Sequence, residues 1–246
     1  MQDLVGKAAL VTGGSRGIGA AIARTLAARG ADVAITYTAN AQKAAEVVGE
    51  IEALGRKATA IQADSADAEA VRGAVDMAAE RLGRLDILVN NAGIFPNGPM
   101  EEVTVEQIDR TLGIHVRGVF VASQAALRHM SEGGRIISIG SSLAQRPQFP
   151  GMTLYAASKS ALIGFTKGLA LDVGGRGITV NVVDPGSTDT DMNPANGEMA
   201  DYQRSRTPLG RFGRPEDIAA TVAHLAGDGG RFISGAMLAV DGGANA

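Results

Sequence analysis

Tyr155 and Lys159 stand four residues apart in the run Tyr155-Ala156-Ala157-Ser158-Lys159. On a helix that spacing puts both side chains on one face. An ammonium beside a phenol favours the phenolate and draws its pKa down from about 10. That brings the phenol towards acid–base work at neutral pH. Upstream, a strand-like run ends in Ile139-Gly140-Ser141-Ser142, so a serine hydroxyl can polarise the carbonyl oxygen that the phenol protonates. Alone, a Tyr-x-x-x-Lys pair is an ordinary helix-surface pattern. Its chemical meaning comes from the rest of the chain.

The first strand-like run leads into Thr12-Gly13-Gly14-Ser15-Arg16-Gly17-Ile18-Gly19, and a helix follows. Glycine is needed where the backbone turns tightly and where a pyrophosphate must approach it closely. The free N–H groups of the helix start then favour phosphate oxygens. In a first strand–turn–helix unit this pattern marks a dinucleotide site. An acid ending the second strand would bond a ribose 2′-hydroxyl and repel a 2′-phosphate. The chain has Thr36-Tyr37-Thr38-Ala39-Asn40 there instead. Arg16, in the glycine turn, offers a guanidinium suited to phosphate. Both features point to NADP(H).

Regular elements must hold these residues in place. Strand-like runs at residues 7–12, 32–38, 57–62, 86–90, 135–139, 178–183 and 236–240 alternate with helical periodicity at 17–29, 41–54, 67–82, 105–130, 154–173 and 215–226. Strands apolar on both faces and separated by helices form a parallel sheet covered on both sides. The expectation is one doubly wound α/β domain over residues 1–246. Residues 187–211, rich in Pro, Gly, Asn and Asp, read as a mobile loop or lid.

The composition is that of a globular protein, with 45% apolar and 20% charged residues. The absence of cysteine excludes disulfides and thiolate metal sites, and His129 and His224 are scattered, so no metal is expected. A formal charge of -3 with no basic stripe argues against nucleic acid. The N-terminus runs into a strand without a leader pattern, and no apolar run approaches the roughly 20 residues that span a bilayer. A cytoplasmic protein with no membrane partner is expected.

Together the motifs resemble the short-chain dehydrogenase/reductase family over essentially the whole chain, and most nearly its 3-oxoacyl-carrier-protein reductase-like branch. They are the glycine turn, Asp64, Asn90-Asn91-Ala92-Gly93, the serine, Tyr155 with Lys159, Asn181-Val182-Val183-Asp184-Pro185-Gly186, and Val240-Asp241-Gly242-Gly243. The resemblance implies a Rossmann-like domain with a seven-stranded parallel sheet flanked by helices. It places Asp64 and Ser65 at the adenine, and Asn91, Ala92 and Gly93 along the cofactor. Pro185, Gly186, Thr188 and Thr190 would hold the nicotinamide end. Tyr155 would protonate a carbonyl oxygen as hydride arrives, while Lys159 bonds the ribose and lowers the tyrosine pKa. A homotetramer is implied too, with Phe232, Ile233 and Met237 suited either to its interfaces or to the core.

Two positions depart from the family pattern. His115, in Ile114-His115-Val116-Arg117-Gly118, replaces the asparagine that helps hold a water of the proton relay. Histidine also donates and accepts hydrogen bonds, so the relay either persists in altered form or is impaired. The second departure is the serine. Strand register selects Ser141, whereas the family's commonest spacing from Tyr155 selects Ser142. Register is preferred, because an extra loop residue costs little.

The substrate pocket is expected between residues 94–99, residues 143–154 and the lid, with Phe95, Leu143, Phe149, Met152 and Met192 as apolar surface. Arg176 matches a docking arginine for an acidic carrier, but Glu132 reverses a second one. A small free carbonyl or alcohol is therefore favoured. The rival reading is a weakly catalytic dinucleotide- or cyclic-dinucleotide-binding regulator. His115 and the tract Asp189–Gly197 motivate it, the latter resembling one in cyclic-di-GMP-binding biofilm regulators.

Overall fold

The computed structural model describes residues 2–246. β1 (Ala8–Val11) shows why the sheet is central. Ala9 and Val11 point into one apolar layer and Ala8 and Leu10 into the other, all of them buried. Six more strands repeat this two-sided burial to varying degrees: β2 (Asp32–Tyr37), β3 (Ala58–Gln62), β4 (Ile87–Asn90), β5 (Arg135–Ile139), β6 (Thr179–Pro185) and β7 (Met237–Val240). All pair in parallel, in the order β3-β2-β1-β4-β5-β6-β7.

Helices complete the two outer layers. On one face, α1 (Gly17–Ala28), α2 (Ala41–Ala53) and α8 (Pro215–Ala226) bury Ile22, Leu26, Val47, Ile51, Ile218 and Val222. On the other lie α3 (Ala68–Leu82), α4 (Val105–Leu112), α5 (Gly118–His129) and α6 (Thr153–Val173). Asp67 caps α3 by accepting the Glu69 N–H at 2.9 Å, a contact worth about 1 kcal/mol. Strand order reverses between β1 and β4, and in such a sheet a crevice opens beyond the strand ends at that point. Among the described residues no helix is long and apolar enough to cross a membrane.

Two expectations about elements are corrected. The single helix expected at residues 105–130 is interrupted by a π turn at Gly113–Arg117. There the chain presses against the loop after β3: a Cβ on Gly118 would lie 2.6 Å from the Ser65 carbonyl oxygen, and Arg117 Nη2 bonds the Ala66 carbonyl at 2.6 Å. Such one-residue bulges often re-aim side chains at functional sites, and this one turns His115 inward. The segment 187–211 is not a bare loop either. It contains α7 (Ala200–Ser205), and the Tyr202 hydroxyl fastens that helix to the Gln148 carbonyl at 3.0 Å.

Candidate functional site

A cleft of about 870 Å³ runs over the C-terminal ends of the strands. At one end is the turn after β1. Gly13 and Gly17 take positive φ values of 64° and 52°, which favours glycine at both. Gly19 answers to space: a Cβ there would lie 2.4 Å from both Asn91 Nδ2 and the Gly13 carbonyl oxygen. Asn91 Nδ2 donates to the Thr12 and Gly13 carbonyls at 2.9 and 3.1 Å, and Thr12 Oγ1 accepts the Asn91 and Ala92 N–H groups at 3.0 and 3.1 Å. The turn is thereby locked to the end of β4. No side chain caps the start of α1, so its N–H groups face the cleft ready for an anion.

The rim beyond β2 is cationic. Lys43, in the first turn of α2, lies 2.9 Å from the Asp191 carboxylate, and Arg16 lies 3.8 Å from it. Asp191 reaches across from the segment after β6. Lys43 holds the Asp191 carboxyl below the usual range. Two cations, uncapped helix N–H groups and glycines without room for a Cβ fit a dinucleotide carrying an extra phosphate.

At the other end stand Ser141, Tyr155 and Lys159. Ser141 lies just past β5, where its hydroxyl accepts the Leu143 N–H at 3.2 Å. Tyr155 is half-buried, with its ring edge-on to Phe95 and His115 at centroid separations of 4.8 and 5.8 Å. Lys159 is buried and donates to the Ile139 carbonyl at 2.8 Å. Burial pushes its pKa down to about 8, against a partial offset from the Asp184 charge. The tyrosine departs from expectation. Burial raises the phenol, a hydrogen bond with Ser141 pulls it down, and Asp184 raises it further. The Lys159 ammonium, 6.0 Å from the ring centroid and held by the Ile139 carbonyl, does not lower it here. The phenol is therefore protonated at neutral pH and available as an acid.

Most of the anticipated residues share this cleft. Gly13, Ser15, Arg16, Gly17, Ile18, Gly19, Tyr37 and Thr38 line it, as do Asp64, Ser65, Asn91, Ala92 and Gly93. Ser141, Tyr155, Lys159, Pro185, Gly186, Thr188 and Thr190 line it too. Asp64 also pairs with Arg110 at 2.6 Å. His115 does not line the cleft. It sits one layer behind, 1% exposed, with both ring nitrogens engaged. Nε2 accepts the Ile94 N–H at 3.0 Å. Nδ1 lies 2.8 Å from Ser158 Oγ, whose hydroxyl donates to the Tyr155 carbonyl at 2.7 Å. One consistent set of roles follows: Nδ1–H donates to Ser158 and Nε2 accepts. Burial and the Lys159 charge push this imidazole down to about 2, so it stays neutral. Both nitrogens are committed to protein partners, which makes His115 a brace between the β4 loop and α6.

One further expectation changes. Met152 is buried beneath the wall rather than lining the pocket. Arg176 gives its Nη2 to the Leu127 and Met130 carbonyls, at 3.0 and 2.5 Å, and the residue stays exposed. No role for Lys43 was expected, and Asp184 and Asp191 entered only as members of the motif Asn181–Gly186 and the tract Asp189–Gly197. Lys43 carried one usable signal, its place just beyond Asn40 at the end of β2, where a ribose phosphate is read.

Comparison with known proteins gives a consistent picture. A family model described as enoyl-(acyl carrier protein) reductase matches residues 13–245. A cyclic-di-GMP-binding biofilm dispersal mediator protein of Escherichia coli is 47% identical, with 98% of each chain covered. Versicolorin reductase of Emericella nidulans is 43% identical over 98% of this chain and 96% of its own. The crystal structure of a short-chain dehydrogenase from Burkholderia cenocepacia in complex with NADP is 64% identical. It superposes with a TM-score of 0.98 over 99% of this chain and 100% of its own.

Proposed function

The chain belongs to the short-chain dehydrogenase/reductase family, and from that premise we propose that it is an NADP(H)-dependent carbonyl reductase with Tyr155 as its general acid. The observation that carries this reading is the layout of one cleft. A glycine turn with Arg16 and Lys43 occupies one end, and Ser141, Tyr155 and Lys159 converge at the other. The NADP-bound relative from Burkholderia cenocepacia supports the cofactor, and the fungal relative named as a reductase supports the reaction type.

In this mechanism the apolar walls, Phe95, Leu143 and Phe149, hold a carbonyl compound with its oxygen between Ser141 and Tyr155. The serine hydroxyl donates to that oxygen and stabilises the charge developing on it. Tyr155 delivers the proton. NADPH, when bound, supplies the hydride. Lys159 provides a fixed positive charge below the phenol, and its pKa of about 8 keeps it cationic at neutral pH. The exposed Glu132 favours a small free ketone, aldehyde or secondary alcohol over a carrier-bound thioester. We assign the whole chain to one catalytic domain that works as a homotetramer in the cytoplasm. The completely exposed Phe232, at 99%, suits an interface.

The Escherichia coli relative's name keeps cyclic-dinucleotide binding as a second reading. Tight, saturable cyclic di-GMP binding together with NADPH turnover too slow to measure would favour it. The primary test follows NADPH consumption over a panel of apolar ketones, aldehydes and 3-oxoacyl thioesters. The proposal expects turnover with free carbonyl compounds, a preference for NADPH over NADH, and poor use of carrier-bound thioesters. NADPH binding with no turnover across the panel would sink it.

A further inference from the structure

Behind the serine and the lysine lies a carboxylate that the proposed reaction does not use. Asp184, near the end of β6, is 2% exposed. The β5–β6 ladder ends at Ile139 opposite Val183, with the Gly140 N–H donating to the Val183 carbonyl at 2.8 Å. β6 pairs onward with β7 through Asp184 and Ala239, while β5 has run out of main-chain acceptors. The Asp184 side chain takes over at that point. Its Oδ1 accepts the Ser141 N–H at 3.0 Å, and its Oδ2 accepts from Gln145 Nε2 at 3.1 Å. The carboxylate passes directly over Gly140, where a Cβ would lie only 2.0 Å from Oδ1. Glycine at 140 and aspartate at 184 are thus a fitted pair.

We propose that Asp184 is a positioning residue for the reaction, a buried carboxylate that adds one rung to the β5–β6 ladder to hold Ser141 and sets the charge against which Tyr155 and Lys159 work. Both carboxylate oxygens accept N–H bonds and neither meets an acceptor for a proton, so the ionised form suits the site even though burial pushes the carboxyl up. A buried charge is costly unless it is bonded and offset. The Gln145 and Ser141 donors and the Lys159 ammonium do both. The charged and titratable groups around it are Tyr155 and Lys159 on α6 and Asp241 just beyond β7. The Asp184 charge raises the phenol, and it resists the loss of the lysine proton that burial promotes. The catalytic consequence rests on the reading of Tyr155 as the acid, whereas the bonding and the charge effect do not.

Asp184→Asn separates charge from position. The new amide oxygen still accepts the Ser141 N–H, and Gln145 can turn its amide to offer an oxygen to the new NH₂. Only the charge is lost. Asp184→Ala removes both. The chain has three tyrosines and no tryptophan, so the ultraviolet phenolate signal of Tyr155 can be isolated by subtracting the titration of Tyr155→Phe. In Asp184→Asn the Tyr155 titration should move to lower pH, with more phenolate than the wild type at a fixed pH below the midpoint. The pH–rate profile should move the same way. Asp184→Ala should lower kcat about tenfold or more at every pH, with NADPH affinity little changed, through loss of serine orientation. A phenolate titration in Asp184→Asn that superposes on the wild type overturns the charge role. An alanine variant that loses stability but not kcat overturns the positioning role. If the alanine variant does not fold, the asparagine variant still decides the charge role, and Asp184→Ser, whose side chain is one atom too short to hold the Ser141 N–H, decides the positioning role by the same kcat readout. A wild-type protein that reduces no carbonyl would end the reductase reading yet leave the phenolate titration readable, so the two failures are distinct.

Discussion

The cationic rim beyond β2 makes cofactor choice a quantitative matter. Arg16→Ala and Lys43→Ala each remove one charge-assisted partner for a 2′-phosphate. A hydrogen bond to a charged group contributes about 1.5–3 kcal/mol when shielded from water. The Arg16 and Lys43 side chains are 55% and 46% exposed, so screening reduces that to about 1 kcal/mol each. That is about fivefold in NADPH affinity per substitution. Because the two cations share Asp191, the double variant should fall short of additivity, at about 10- to 20-fold. Asp191→Asn acts in the opposite sense. It removes a carboxylate that competes for Lys43 and repels the phosphate, so NADPH should bind about two- to fivefold more tightly. NADH has no 2′-phosphate and should be indifferent to all three changes. Fluorescence titrations with NADPH and NADH at low and high salt read each effect, and the differences should shrink as salt rises. An NADH affinity that drops as far as NADPH affinity in Lys43→Ala would contradict a 2′-phosphate site at this rim. Weaker NADPH binding in Asp191→Asn would contradict it too, since the carboxylate would then be preparing Lys43 rather than competing for it.

Three further outcomes are expected. His115 has a folded pKa of about 2 against 6.5 for the free group, so below about pH 6.5 the unfolded chain takes up a proton that the native state refuses. Stability should fall by about 1.4 kcal/mol per pH unit as pH drops through that window. Denaturant unfolding between about pH 6.5 and 4.5 should show a shallower slope for His115→Asn than for the wild type, and equal slopes would contradict the buried, neutral assignment. For the serine, Ser141→Ala should cost about 10²-fold in kcat. Ser142→Ala should stay within about threefold, because Ser142 serves chiefly through its carbonyl, which accepts from Asn245 Nδ2 at 2.7 Å. A reversal of that order in steady-state assays would move the role to Ser142. Light scattering should return a tetramer mass, and Phe232→Glu should lower it by placing a charge in an apolar contact; a wild-type monomer would contradict the assembly.

The strands and most helices were legible because burial writes itself into the sequence. Runs such as Ala8–Val11, apolar on both faces, can only be interior parallel strands, and α8 begins and ends where Pro215 and the Gly227 that follows it would place it. The glycine turn was legible for a similar reason, since its backbone shape and close contacts demand glycine. Side-chain valence was not. A histidine at 115 reads the same whether its nitrogens face a water or are spent on Ile94 and Ser158. The break at Gly113 was hidden because the apolar periodicity continues through it, and its cause lies in the distant loop at Ser65. Asp184 and Asp191 look like ordinary strand-end and loop acids until the fold brings one under Ser141 and the other to Lys43. Those contacts span 43 and 148 residues, a range that no local pattern records.

Tyr155→Phe, measured for both cofactor binding and turnover, tests most directly whether Tyr155 is the proton donor. The variant should bind NADPH about as tightly as the wild type, because Arg16, Lys43 and the glycine turn are untouched. It should lose at least about 10²-fold in carbonyl reduction, because the proton donor is gone. Turnover surviving in the phenylalanine variant would contradict the assignment of Tyr155 as the acid.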